Sequence, residues 1–150
     1  MIRNQYDGTL TYAANWYQEV DDVTFWDQLD YIGIQAYYPL VQEERPEVDR
    51  ITKGWSAHLK GIQQLSKKYK KPILFTEIGY KSTPDAAIEP WIWPDHFEKE
   101  IEPCHDTQAN CYEAFFDTFW DKDWFAGVHF WEYKIHKGDR RSQGLSLIHI

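Results

Sequence analysis

The 150-residue sequence is short of positive charge and contains no long apolar run. It has 16 basic and 24 acidic residues, which gives a formal net charge of −8. This balance argues against a nucleic-acid-binding protein, which needs a basic surface, and it disfavours anionic polymers as ligands. No stretch of about 18 apolar residues is present, so no membrane span is predicted. Neutral ligands remain compatible with this composition.

Cysteine is also scarce, since the sequence contains only Cys104 and Cys111. Two cysteines do not make a disulfide framework. If both lay on one helix, their spacing would hold them about 10 Å apart, which is too far for a bond. We therefore expect two free thiols, with a loop-to-helix disulfide as the alternative.

Aromatic side chains, in contrast, are abundant. They make up 17% of the residues, with eight Trp and ten Tyr. A Tyr or Trp side chain has an apolar face and a polar edge group, so it suits interfaces and stacking on sugars or bases. Hydrophobic residues make up 43% of a chain of single-domain length, which is enough to bury a core.

Four mostly apolar segments, each with polar residues at its C-terminal end, predict strands at 10–16, 30–40, 72–80 and 125–133. Such runs are typical of parallel strands that are buried on both faces. Residues 48–69 and 107–121 have the three-and-four spacing of amphipathic helices, and a short helical turn is predicted at 24–29. This alternation predicts a parallel sheet with right-handed crossovers. The long loop 81–104 is predicted to be functional.

One glutamate stands at the end of a strand that looks buried, in the segment PILFTEIGY. Alternation along the strand places Ile73, Phe75 and Glu77 on one face, with the first two filling a barrel interior and Glu77 at its mouth. In α/β barrels, functional residues lie at this C-terminal face. An ionised carboxylate there can act as a nucleophile on the anomeric carbon of a sugar. The alternative is a glutamate that forms an ion pair with a nearby Lys or Arg.

The other predicted strands also end in side chains that suit a sugar. Tyr37 can donate a hydrogen bond to that carboxylate and keep it charged, and Trp131 can offer a flat apolar face to a pyranose ring. Asn15 and Gln35 supply neutral hydrogen-bonding groups for hydroxyls. Each of these residues, and Trp16 with them, has a structural role as its alternative. Because parallel strands end at one edge, we expect them to converge on a carbohydrate site.

The segments LTYAANWYQE, FWDQLDYIGIQAYYPL, PILFTEIGYKS, EPWIWP and FAGVHFWEY together resemble the C-terminal half of the glycoside hydrolase family 113 catalytic domain. The resemblance covers roughly residues 3–144, and it implies that residues 1–144 form an α/β partial TIM (β/α)₈ barrel, strands 5 to 8 with connecting helices. It also implies retaining, β-1,4-mannanase-like chemistry on an oligosaccharide or polysaccharide. Members of this family are often exported, whereas the sequence itself leaves the compartment open.

The resemblance also assigns roles by position. Glu77 matches the catalytic nucleophile, and Tyr37 matches the tyrosine beside it. Trp131 matches the tryptophan that forms the floor of the sugar subsite on the last strand. Asn15 and Trp16 match rim residues that follow the first strand of this half-barrel.

In two respects the sequence departs from the family pattern. Gln35 stands where related sequences usually have aspartate, which removes a charge near the site. Retaining glycosidases need a second carboxyl group as acid/base, and in this clan that glutamate closes the fourth strand. No residue here matches it, and Glu43, Glu44 and Glu132 are poor substitutes. We therefore expect an enzyme fragment that is inactive alone, with open sheet edges that favour self-association and a non-native tail at 145–150.

Three further readings stay open. The chain could belong to another member of the clan, such as a cellulase-like β-glycanase with the same role for Glu77. It could also be a carbohydrate-binding barrel that has lost catalysis, or a structural half-barrel without a ligand. His129 is expected to be a packed core residue, with a position lining the site as the alternative. The scattered histidines and aspartates show no metal-ligand spacing, so no metal and no cofactor are predicted.

Overall fold

The computed structural model describes residues 2–93 and 103–131. Part of the predicted loop 81–104 lies outside these residues, as do Glu132 and the tail 145–150. None of the helices in the described residues is long and apolar enough to cross a bilayer.

A four-stranded parallel sheet forms the centre of the described fold. Its strands are neighbours in chain order: β1 (Ala13–Asn15), β2 (Ile32–Gln35), β3 (Ile73–Ile78) and β4 (Phe125–Phe130). The predicted α/β fold class and the parallel pairing are therefore confirmed. The strands are shorter than predicted, because the polar and aromatic residues that follow β2 lie in a loop and take no part in the ladder.

Three α-helices and two single turns of 3₁₀-helix complete the described elements: α1 (Glu19–Asp22), α2 (Val48–Tyr69), α3 (His105–Phe119), and the turns Ile2–Asn4 and Trp26–Gln28. The bounds of α2 are as predicted. It ends at Lys70, whose left-handed backbone (φ 54°, ψ 40°) cannot continue a helix. α3 begins two residues earlier and ends two residues earlier than predicted, and α1 was not predicted.

The core lies between the sheet and the helices α2 and α3. Phe75 of β3 is fully buried, and its ring contacts Trp55 of α2 and Phe119 of α3, with ring centroids 6.1 and 4.9 Å away. It also packs edge-on against Phe125 of β4 at 5.1 Å. Aromatic pairs at these spacings add to the stabilisation that comes from burial. A layer of aromatic rings thus joins the sheet to both long helices.

The face predicted for Phe75 was wrong. Alternation was expected to place Phe75 on the same face as Glu77, inside a barrel. The structure instead packs Phe75 against α2 and α3, on the helix side of the sheet. The reason is an irregularity in the pairing of β2 with β3, where β3 has one extra residue between Phe75 and Glu77.

Both cysteines are buried and free, as expected. Burial raises the pKa of the Cys111 thiol. The alternative of a loop-to-helix disulfide is therefore not what the structure shows.

Buried phenols predict that the protein loses stability at alkaline pH. Burial raises the pKa of Tyr38, Tyr80 and Tyr112 above their ordinary value of 10.0. Above that pH the unfolded chain releases these protons while the folded chain keeps them. Stability is therefore complete below pH 10 and falls as the pH rises, by about 1.4 kcal/mol per pH unit for each phenol.

Urea unfolding from about pH 8 to about pH 11 measures this slope, which is proportional to the number of protons withheld in the folded state. The variant Tyr80→Phe removes one buried phenol while keeping its ring. Its free energy of unfolding is expected to fall less steeply with pH than that of the wild-type protein. Equal slopes for the two proteins would contradict the assignment of Tyr80.

Candidate active site

A β-bulge at the end of β3 sets the position of Glu77. Ile34 of β2 pairs with Phe75, and the next residue, Gln35, pairs with Glu77, so Thr76 is an extra residue in β3. The carbonyl oxygen of Glu77 accepts a hydrogen bond from the backbone N–H of Ala36 at 2.7 Å, which holds the strand end in this register. The extra residue breaks the period-two pattern between Phe75 and Glu77.

The bulge turns Glu77 to the face of the sheet opposite the helices. Ile34 is fully buried and lines a groove with Ala57 and Ile62 of α2, so it lies on the helix side. Gln35 follows it directly and therefore points to the other face. The side chain of Glu77 is hydrogen-bonded to that of Gln35, which places both on the same, open face of the sheet.

Neutral donors hold both carboxylate oxygens of Glu77. The amide nitrogen Nε2 of Gln35 donates to Oε1 at 2.8 Å, and the phenol of Tyr37 donates to Oε2 at 3.1 Å. Within the described residues Glu77 makes no ion pair, and the lysine that follows in the same segment, Lys81, is bound instead to Asp85 at 2.7 Å. The alternative, in which Glu77 forms an ion pair with a nearby Lys or Arg, is therefore wrong for the described residues.

Tyr37 stays a hydrogen-bond donor over a wide pH range. Burial raises the pKa of its phenol far above the ordinary value of 10.0, and the charge of Glu77 and the hydrogen bond to it raise it further. A protonated phenol donates to a carboxylate, and such charge-assisted bonds are stronger than neutral ones. The predicted contact between Tyr37 and Glu77 is therefore present.

Trp131 lies beside the end of β3. Its backbone N–H donates to the carbonyl of Ile78 at 2.8 Å, and its side chain remains 46% exposed. Gly79 permits this approach, because a Cβ atom on it would lie 2.1 Å from the carbonyl oxygen of Trp131. An exposed tryptophan thus lies next to the strand that carries Glu77.

Asn15 and Trp16 do not contact Glu77. The side-chain oxygen of Asn15 accepts from the backbone N–H of Tyr17 at 2.9 Å, which closes a local turn. The ring of Trp16 packs on Tyr38 at 5.2 Å and on Trp91 at 5.4 Å. Trp16 also lines the groove against α2, whose volume is about 420 Å³. The first strand end therefore contributes aromatic surface at a distance from the carboxylate.

The structure also places His129 and Glu43, of which the first differs from its expectation and the second agrees with it. His129 is exposed on β4, so the expectation of a packed core residue was wrong. Glu43 bonds Arg50 at 2.7 Å, and that hydrogen bond holds the pKa of the Glu43 carboxyl below its usual range. It therefore stays ionised at neutral pH, where a general acid must hold a proton.

No group of three or more His, Cys, Asp or Glu side chains in the described residues is arranged to hold a metal ion. Sequence reasoning missed the bulge at Thr76 and the bond from Gln35 to Glu77. The polar Thr-Glu pair at the end of an apolar run marks a change in the strand, but it does not show which residue leaves the ladder. Gly79, which follows two residues later, is the other feature of the sequence that marks an irregular strand end.

Comparisons with known proteins identify the family and the fold of the chain. The family profile described as Glycoside Hydrolase Family 113 matches residues 1–144. Among solved structures, the chain is similar to a family 113 β-mannanase from Alicyclobacillus acidocaldarius, with 30% identity over 97% of this chain and 41% of that one and a TM-score of 0.72. A second structure, a family 113 β-1,4-mannanase, gives 28% identity, the same coverage and a TM-score of 0.73.

A more distant structure shares the fold alone. The β-glucuronidase from Ruminococcus gnavus is 18% identical over 83% of this chain and 20% of its own length, with a TM-score of 0.56. Among curated proteins, none matches the chain. The chain spans 41% of the length of the mannanases it matches, and its four strands correspond to part of the (β/α)₈ barrel of those structures. On the profile match and the 30% identity, the chain belongs to glycoside hydrolase family 113.

Proposed function

We propose that this chain is the nucleophile-bearing part of a retaining glycoside hydrolase that cleaves β-1,4-mannan or a related β-linked glycan. The observation that carries the proposal is the carboxylate of Glu77, held at the C-terminal end of β3 by Gln35 and Tyr37. A nucleophilic carboxylate must be fixed in direction, and one hydrogen-bond donor on each oxygen of Glu77 supplies that condition. The solved family 113 mannanases support mannan as the substrate class.

In the proposed reaction a carboxylate oxygen of Glu77 attacks the anomeric carbon and forms a glycosyl ester, while the bond to the leaving sugar oxygen breaks. Water then cleaves the ester and restores the carboxylate. The proton for the leaving oxygen is proposed to come from a glutamate at the end of the preceding strand of the complete barrel. The exposed ring of Trp131, beside β3, is proposed to stack on the sugar at the reacting position.

Covalent trapping tests the role of Glu77. The full gene product is incubated with 2-deoxy-2-fluoro-β-mannosyl fluoride, on which Glu77 forms a bond to the anomeric carbon as the C–F bond breaks and fluoride leaves. Peptide mapping by mass spectrometry is expected to place the sugar on Glu77 and to leave Glu89, an exposed glutamate in the loop that follows β3, unmodified. A label on another carboxylate would overturn the assignment.

Turnover separates the remaining readings. Hydrolysis of β-1,4-mannan with a β-configured first product, seen by proton NMR, is expected of a retaining mannanase. Faster cleavage of cello-oligosaccharides would identify a cellulase-like member of the clan. Binding without cleavage and without trapping would support the non-catalytic barrel.

A further inference from the structure

The contact between Gln35 and Glu77 assigns Gln35 a role that the sequence did not indicate. From its position at a strand end, Gln35 is expected to bind a substrate hydroxyl. In the structure its amide nitrogen is 2.8 Å from Oε1 of Glu77, closer than the 3.1 Å from Tyr37 to Oε2. A carboxylate only accepts hydrogen bonds, so the atom of the Gln35 amide that faces it must be the donor.

Gln35 and Glu77 are also joined through the backbone. They are register partners across β2 and β3, beyond the point at which Thr76 bulges. The N–H of Ala36, the residue after Gln35, donates to the carbonyl of Glu77 at 2.7 Å. The backbone hydrogen bond therefore holds the residue that donates, Gln35, beside the residue that accepts, Glu77.

Both donors on Glu77 are neutral, and this matters for a nucleophile. A Lys or Arg in the same position would add an opposite charge and compete with the sugar for the carboxylate. An amide and a protonated phenol orient the two oxygens without cancelling the negative charge. With one donor on each oxygen, rotation of the carboxylate about its last bond breaks at least one hydrogen bond.

We propose that Gln35 is a positioning residue for Glu77, acting on the orientation of the nucleophile and not on the binding of the glycan. This inference rests on the proposed function, in which Glu77 attacks the anomeric carbon. A misplacement of reacting atoms by about 1 Å can cost roughly 100-fold in rate while the substrate still binds. Removal of the Gln35 amide is thus expected to slow the chemical step and to leave substrate binding unchanged.

Two substitutions in the full gene product test the proposal. Gln35→Met keeps the length of the side chain and removes the donor, and Gln35→Glu keeps the shape and replaces the donor with a carboxylate that repels Glu77. We expect Gln35→Met to lower kcat on β-1,4-mannan by roughly 10- to 100-fold with KM nearly unchanged. Gln35→Glu is expected to be worse than Gln35→Met, although it is the closer match in shape.

The relative kcat and KM values of the two variants distinguish a positioning role of Gln35 from a space-filling or glycan-binding role. A residue that only fills space tolerates the isosteric glutamate best, and a residue that binds the glycan raises KM when it is changed. Either pattern would overturn the proposal. Gln64→Met, on the exposed face of α2, is the matched control and is expected to behave as wild type.

Trapping of Glu77 by the fluoro-sugar separates this inference from the proposed function. Slower trapping on Glu77 in Gln35→Met, with the label still on Glu77, supports both. Trapping at the wild-type rate refutes the positioning role and leaves the nucleophile in place. A label that never falls on Glu77 refutes the proposed function itself.

Discussion

Replacing Glu77, the proposed nucleophile, by alanine in the full gene product is expected to lower kcat on the proposed substrate β-1,4-mannan by on the order of 10⁵-fold, since loss of a covalent catalyst abolishes its intermediate. The substitution leaves the amide of Gln35 and the phenol of Tyr37 facing the space of the lost carboxylate. A small anion such as azide can occupy that space between the two donors. Azide is therefore expected to restore turnover of an activated aryl β-mannoside.

The product of the rescued reaction identifies the role of the residue. Azide that attacks from the position of Glu77 inverts the anomeric carbon, so the glycosyl azide is expected in the α configuration. Glu89→Ala, an exposed glutamate that follows the same strand, is the matched control and is expected to retain wild-type kcat without azide. Residual activity of Glu77→Ala near the wild-type level would show that another group is the nucleophile.

The largest expected effect on stability comes from Phe75→Ala. The side chain of Phe75 is fully buried, and its ring packs against Trp55, Phe119 and Phe125 with centroids 4.9 to 6.1 Å away. Truncation removes the buried surface and leaves a cavity among rings that belong to three different elements. We expect a loss of about 3 to 5 kcal/mol in the free energy of unfolding.

Urea unfolding of the full gene product measures this loss as a lower midpoint with an unchanged slope. Phe116→Ala is the control, because Phe116 belongs to the same helix α3 as Phe119 but is 39% exposed. Its substitution is expected to cost less than that of Phe75, by about the difference in buried area. Equal losses for the two variants would show that Phe75 is not the centre of the core.

The fold was predictable where a single physical pattern decides the structure. The apolar spacing of α2 gave its bounds, and Lys70 and Pro72 mark its end in the sequence as in the structure. The parallel order of the strands follows from their alternation with helices and from the cost of long connections. The identity of Glu77 as a residue at a strand end followed from the polar group after an apolar run.

The geometry of the site was less predictable, because it depends on one extra residue. Thr76 shifts the register by one position, and a shift of one position moves a side chain to the other face of the sheet. Nothing in the spacing of apolar residues reports such a bulge. For the same reason the sequence did not indicate the hydrogen bond from Gln35, which lies opposite the shifted position, to Glu77.

Trp16 illustrates a different limit. Its position after β1 was read correctly, but the direction of its ring depends on contacts with Tyr38 and Trp91, which come from two other loops. Such contacts between loops are set by tertiary packing, which local sequence patterns do not describe. The sequence therefore shows which aromatic residues follow the strands, but it does not show which of their rings contact one another.

Gly79 allows the backbone at Trp131 to lie directly against the end of the strand that carries Glu77. Because it has no side chain, the peptide of Trp131 bonds directly to that of Ile78, one residue from Glu77. The separation between the backbones that carry Glu77 and Trp131 is thereby set by the spacing of adjacent strands, about 4.8 Å. In the proposed function, the surface on which the sugar stacks and the carboxylate that attacks it are therefore carried by backbones joined through a direct hydrogen bond.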